Sequence, residues 1–175
     1  MPRFQRTVVT ALSVAAIAAT ALATAPTASA AGYRCTTSKM TVDDPAYSGP
    51  WPVNWDLSAT ICAKRSGSYL YVYAYAKVSV NGPNFYDKGP VFDAARWVQQ
   101  IKHSRSGPDT VQVWKNFPGI KNRIENKTRS GPYTTFAIRW TAGNRRGLGD
   151  GYLQLDWDND GKGYRSYHFT ASPAV

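Results

Sequence analysis

The sequence predicts an all-β fold, an antiparallel β-sandwich or jelly roll of about eight strands. Polarity alternates with a period of two in several short runs, which is typical of strands with one buried face. Frequent turn residues, 14 Gly and 11 Pro, separate these runs. Aromatic residues make up 13% of the chain and charged residues 18%. This composition argues against a disordered tail and against a coiled coil.

The first thirty residues have the pattern of a secretory signal peptide. Arg3 and Arg6 precede an uncharged, Ala-rich stretch over 7–25, and Ala28-Ser29-Ala30 supplies the small residues of a cleavage site. A transmembrane anchor is the alternative, but the stretch is mostly Ala and Thr and no cationic flank follows it. We therefore expect residues 1–30 to be removed and 31–175 to form one secreted, extracellular domain without a membrane span.

The expected strands follow in order along this domain. Five Gly-Pro pairs mark turns or strand starts between them, because Gly adopts unusual backbone angles and Pro donates no ladder hydrogen bond. Short helical turns are expected only at 91–95 and 119–126. The strands are predicted at 34–42, 57–63, 69–80, 97–103, 110–115, 134–141, 152–157 and 164–169.

The only two cysteines, Cys35 and Cys62, are expected to form a disulfide bond. An even count in an exported protein favours pairing over a reactive free thiol. Closing the loop of 27 residues between these cysteines stabilises the fold by about 3 kcal/mol in the chain-entropy description.

The strand at 69–80 places four tyrosines and a lysine on one face, opposite a row of small aliphatic residues. Aromatic rings bind sugars, bases and cations, since they present apolar area with a polar tip. This face is therefore a candidate ligand platform, and the alternative is that the rings pack on cross-strand neighbours or under a loop. The candidate ligand-binding residues are Tyr69, Tyr71, Tyr73, Tyr75 and Lys77.

The segment after the strand at 152–157 resembles the opening of a calcium loop. Asp156, Asp158 and Asp160 have the D-x-D-x-D-G spacing, and carboxylate oxygens suit Ca²⁺. The twelfth position is Tyr167, where an EF-hand has Glu. A polar hairpin loop without metal is the alternative, and calcium is the only cofactor that the sequence suggests.

The formal net charge is +10, and the predicted leader contributes only two of these charges. Such an excess favours anionic partners, including wall polymers, acidic polysaccharide, nucleic acid and lipid headgroups, although solubility alone also explains it. No specific nucleic-acid motif is present. The basic residues group as Lys102, His103 and Arg105; as Lys115, Lys121, Arg123, Lys127 and Arg129; and as Arg145 and Arg146.

Catalytic residues are few, with two histidines and a single glutamate, and known hydrolase motifs are missing from the sequence. One acid–base set can be written, with Glu125 as base, His168 as acid and Arg129 stabilising a phosphate transition state. This set would make a ribonuclease-like enzyme. The alternative is three ordinary surface residues, because no spacing links them.

These observations predict a basic, aromatic-rich, secreted protein that binds an extracellular anionic or glycan surface without catalysis. Two other functions stay open. One is a secreted ribonuclease-like or other hydrolase, which turnover would reveal, and the other is a protein-binding inhibitor, which would form a salt-resistant complex.

Overall fold

The computed structural model describes residues 32–45, 54–66, 71–81, 91–125, 132–158 and 160–175. The predicted signal peptide lies outside these residues. Within them the chain is mostly β-structure, arranged as two antiparallel sheets.

The first sheet is built around a central pair of long strands, β2 and β3. The strand order is β1-β2-β3-β6, and β7 pairs with another part of β3. The strands are β1 (Arg34–Asp43), β2 (Asn54–Ser66), β3 (Tyr71–Asn81), β6 (Tyr133–Thr134) and β7 (Ile138–Thr141).

The second sheet has the order β5-β4-β8-β9, so its central strands are β4 and β8. A bend at the predicted Gly107-Pro108 turn separates β4 from β5, and the short helix α1 (Ile120–Glu125) follows β5. The strands are β4 (Phe92–His103), β5 (Thr110–Phe117), β8 (Gly147–Trp157) and β9 (Arg165–His168).

Alternating burial confirms the predicted pattern where it is described. In β3, Ala76 and Val78 are buried, whereas Lys77 and Ser79 are exposed. The predicted core residues of β8 are also buried, and side chains from both sheets contribute to one hydrophobic cluster. At one end of this cluster the rings of Trp55, Phe92 and Trp157 lie 4.7–5.4 Å apart.

A buried polar bridge also connects the sheets. Thr135 Oγ1 donates to Gln99 Oε1 on β4 and accepts from the backbone N–H of Ala76 on β3, at 2.5 and 2.8 Å. Both bridging side chains are almost completely buried. Because buried polar groups need partners, this bridge favours one relative placement of the two strands.

The predicted disulfide is confirmed. Cys35 and Cys62 are direct partners in the β1–β2 register, with their Cα atoms 4.1 Å apart. The bond therefore joins neighbouring antiparallel strands at the level of a residue pair.

Two local predictions are wrong. Of the expected helical turn at 91–95, residues 92–95 belong to β4, because Phe92 and Ala95 enter the core while pairing with β8. The run at 134–141 is divided into β6 and β7, and the expected core residue Phe136 is 78% exposed. From Thr134 to Ile138 the chain advances four residues while β3 advances three, from Lys77 to Ala74, so one extra residue breaks the alternation here. The helical turn expected at 119–126 is confirmed as α1.

No helix within the described part of the chain is long and apolar enough to cross a membrane.

Candidate functional site

The outer face of the second sheet carries a shallow groove of about 280 Å³. The side chains lining it come from three adjacent strands and combine two aromatic rings, three amides, an arginine and a valine. We call this surface the Trp114 face, and it consists of Arg96, Val98, Gln100, Trp114, Asn116, Tyr152 and Gln154.

Strand register brings these residues together. Gln100 of β4 lies opposite Trp114 of β5, and Val98 lies between Asn116 on β5 and Tyr152 on β8. Side chains alternate between the faces of a strand, so the residues between these positions point to the core. The same alternation that buries Trp97 and Ile101 therefore places their neighbours on the Trp114 face.

Trp114 is 61% exposed, although it lies in the middle of an edge strand. Such a large ring is ordinarily buried to a high degree. Next to it, the side-chain amides of Gln100 and Asn116 make no hydrogen bond to another residue that the structure describes. The groove thus combines an open apolar ring with amide donors and acceptors.

On the β8 side of the Trp114 face, away from Trp114, contacts with neighbouring residues hold the side chains in place. Arg96 Nε donates to Gln154 Oε1 at 2.7 Å, and the Arg96 guanidinium lies 4.2 Å from the ring centre of Tyr164. Tyr152 is paired with His168 of β9, with ring centres 4.7 Å apart. These contacts restrict the side chains before any ligand arrives.

The Trp114 face ends next to a strongly cationic region. Several contacts gather this region at one end of the molecule. Ser104 N–H donates to the carbonyl of Arg146, and Arg65 donates to the backbone oxygen atoms of Gly143 and Val175. Arg145 lies over the ring of Trp140 at 4.7 Å. We call this region the basic end, and it consists of Arg34, Lys64, Arg65, Lys102, Arg105, Arg145 and Arg146.

Most acidic residues lie toward the opposite end of the sheets, near the cluster of Trp55, Phe92 and Trp157. The pKa of Asp93 is raised above its usual value. The causes are lost hydration, the repulsion from the Asp158 and Asp156 carboxylates, and a hydrogen bond shared with Asp158. Two described aspartates lie at the basic end instead, since Asp150 pairs with Lys102 and Asp109 accepts from the N–H of Arg105, so the charges are partly segregated along the molecule. The acidic residues near the ring cluster are Asp43, Asp44, Asp56, Asp93, Glu125, Asp156, Asp158 and Asp160.

The predicted tyrosine row is described only at one end. Tyr69 and the side chains of Tyr71 and Tyr73 lie outside what the structure describes. Tyr75 is half-buried and packs edge-on against Tyr33, with ring centres 4.8 Å apart, while Lys77 is exposed. The described ring of the row thus already has an aromatic partner.

The three aspartates of the proposed calcium loop have different surroundings. Asp160 forms an ion pair with Arg165 at 2.6 Å and accepts from the N–H of Lys162 at 2.8 Å. Asp156 belongs to β8, and Asp158 lies next to Asp93. Among the residues that the structure describes, no three acidic, histidine or cysteine side chains converge as a metal site.

The acid–base set is not brought together. Glu125 accepts from the N–H of Phe92 and forms an ion pair with Lys121 at 2.7 Å, so it ties α1 to β4. His168 is level with Tyr152 and hence with Val98. Phe92 and Val98 are separated by about 20 Å along β4, from the rise per residue of a strand. Arg129 lies outside the described residues.

A larger hollow of about 510 Å³ lies over the first sheet. Its described lining has no aromatic ring, and two of its polar groups pair with each other, since Thr41 donates to Asp56 at 2.9 Å. The smaller groove is therefore the better candidate site. The hollow is lined by Lys39, Met40, Thr41, Asp56, Leu57, Ser58 and Ser79.

Neither protein-family models nor curated proteins nor solved structures include a match to this chain.

Proposed function

We propose that this protein is a secreted, non-catalytic glycan-binding domain, and that the glycan binds on the Trp114 face. The observation that carries the proposal is the exposed indole of Trp114 in a groove lined by amide side chains. The proposed fold is a β-sandwich whose two sheets enclose the common hydrophobic cluster.

The chemistry of the groove suits a sugar chain. One face of a sugar ring presents C–H groups, which stack on an aromatic ring, and its edge presents hydroxyls, which exchange hydrogen bonds with amides. Gln100 and Asn116 supply both a donor and an acceptor, and Arg96 supplies further donors. A flat, extended groove on a sheet therefore fits a polymer better than a small enclosed molecule.

Rigidity of the groove adds to the expected affinity. Trp114 and its neighbours lie on paired strands, and Arg96 and Gln154 are already held by hydrogen bonds. Binding then immobilises few side chains, which lowers its entropic cost.

Secretion is supported by the leader pattern of residues 1–30 and by the disulfide between Cys35 and Cys62. Disulfides persist in oxidising compartments. An extracellular location also places the Trp114 face where structural polysaccharides occur.

The proposal is tested by affinity electrophoresis of the purified protein through gels that contain soluble polysaccharides, both neutral and acidic. At least one polymer should retard the protein, and Trp114→Ala should restore its mobility. Phe136→Ala is the matched control, because Phe136 is an even more exposed ring, at 78% against 61% for Trp114, and lies outside the groove. Polymer cleavage during the run would favour a hydrolase instead.

A further inference from the structure

We propose that the ligand is an acidic glycan, a polymer of hexuronic acids, and that it runs from the Trp114 face onto the basic end. This inference rests on the proposed function and adds the charge of the ligand and the direction in which it lies.

The two surfaces are continuous along β4. Arg96, Val98 and Gln100 line the groove at alternate positions, and Lys102 is the next residue on the same side. Two residues of a strand span about 7 Å, so the first lysine of the basic end lies one short step beyond the groove. Lys102 forms an ion pair with Asp150 of β8. Asp150 lies two residues before Tyr152, on the same face of that strand, so the ion pair borders the groove.

Beyond Lys102 the exposed arginines outnumber Asp109, the exposed acidic side chain there, whose Oδ1 accepts from the N–H of Arg105. Arg145 and Arg146 are both exposed and form no ion pair with a carboxylate that the structure describes. Arg145 is held over Trp140 and by a hydrogen bond from its Nε to the Ala142 carbonyl at 3.0 Å. Its guanidinium therefore keeps a defined position and retains donors for a carboxylate.

The groove itself decides between classes of polyanion. A lipid headgroup would satisfy the arginines but uses neither the indole nor the amides. A single-stranded nucleic acid stacks successive bases on several aromatic rings. Trp114 is the one ring of this face that is fully open, because Tyr152 packs on His168. A hexuronic acid polymer combines ring hydroxyls with one carboxylate on each sugar. It is complementary to the groove and to the basic end at once.

The test compares two polymers with the same sugar ring, polygalacturonate and its fully methyl-esterified form, by isothermal titration calorimetry. Polygalacturonate should bind about tenfold more tightly at about 50 mM NaCl, and the difference should largely vanish at about 200 mM, since salt screens the charges. The double variant Arg145→Gln/Arg146→Gln should remove the preference and leave affinity for the ester within about twofold.

A control variant, Lys39→Gln/Lys77→Gln, removes the same charge from the first sheet and should keep the preference. Melting temperatures verify folding, and Arg146→Gln alone provides a second variant if the double variant unfolds. Equal affinity for both polymers, or an unchanged preference in the arginine variants, would overturn the acidic-glycan inference and leave the proposed function standing.

Three other outcomes are distinguishable. Binding of both polymers that does not change in Trp114→Ala contradicts the proposed function together with the inference. Binding of neither polymer overturns the inference alone, because the electrophoresis with other polysaccharides still decides the proposed function. Oligothymidylate binding as tight as that of polygalacturonate, and equal in Trp114→Ala, would show a general polyanion surface and overturn the inference.

Discussion

Replacing Gly151 with alanine should destabilise the fold through one identified contact. A Cβ at this position of β8 would lie 2.4 Å from Cζ2 of Trp97, 3.0 Å from its Cε2 and 3.2 Å from the carbonyl oxygen of Val98. The ring has no free direction, because Trp97 is fully buried and lies 5.5 Å from the ring of Phe169. Either β8 moves away from β4 or the indole leaves its position.

Overpacking of this kind costs about 1–3 kcal/mol, and the short distance to a trapped ring places Gly151→Ala near about 3 kcal/mol. For a domain of this size the melting temperature should fall by about 6–12 °C, as measured by calorimetry. Gly107→Ala is the control, since a Cβ at Gly107 meets nothing within 4 Å. Its effect should stay within about 0.5 kcal/mol.

A double-mutant cycle isolates the contact. Trp97→Phe removes the part of the indole that contains Cζ2, together with a buried indole N–H that has no partner among the described residues. In that background Gly151→Ala should cost at least about 1 kcal/mol less. An unchanged melting temperature in Gly151→Ala, or equal costs in both backgrounds, would refute the packing argument.

Three further variants test other parts of the structure. Thr135→Val should lower the free energy of unfolding by about 2 kcal/mol in urea titrations, because it removes the hydroxyl that bonds Gln99 and the Ala76 N–H. Adding Gln99→Leu should recover only part of this loss, since the Ala76 N–H still lacks its acceptor, and a neutral single variant would contradict the bridge. Cys35→Ser/Cys62→Ser should lower the free energy of unfolding by about 3 kcal/mol in the same titrations. A decrease below about 1 kcal/mol would show that the disulfide constrains the unfolded chain little. Asp93→Asn should raise the melting temperature at pH 7, because a raised pKa means that the ionised carboxylate destabilises the native state. This gain should disappear below about pH 4, where the carboxyl is protonated, and an equal gain at both pH values would speak against the charge repulsion.

Much of the fold was predictable because it depends on local sequence patterns. The alternation around Ala76 and Val78 predicted their burial, and the two cysteines left only one pairing. Phe136 was misassigned because one extra residue lies between Thr134 and Ile138 relative to the facing part of β3, which breaks the alternation of faces. Since β3 is distant in sequence, no local pattern reveals this shift in register.

The candidate site was less predictable than the fold. Trp114 lies in a weak strand pattern, and its groove exists only because β4 pairs with β5 on one side and β8 on the other. The visible signal was modest, a tryptophan alternating with the polar residues Gln112 and Asn116. The run of tyrosines was far more conspicuous, yet its described member Tyr75 packs on Tyr33.

Glycan binding at the Trp114 face is decided by the affinities of Trp114→Ala and Phe136→Ala for the polysaccharide that binds the unmodified protein most tightly. We expect Trp114→Ala to lose about 1–3 kcal/mol of binding free energy, which raises the dissociation constant about 5- to 150-fold. Its melting temperature should stay unchanged. Phe136→Ala should bind as the unmodified protein does. Unchanged affinity in Trp114→Ala, or an equal loss in both variants, would contradict glycan binding at the Trp114 face.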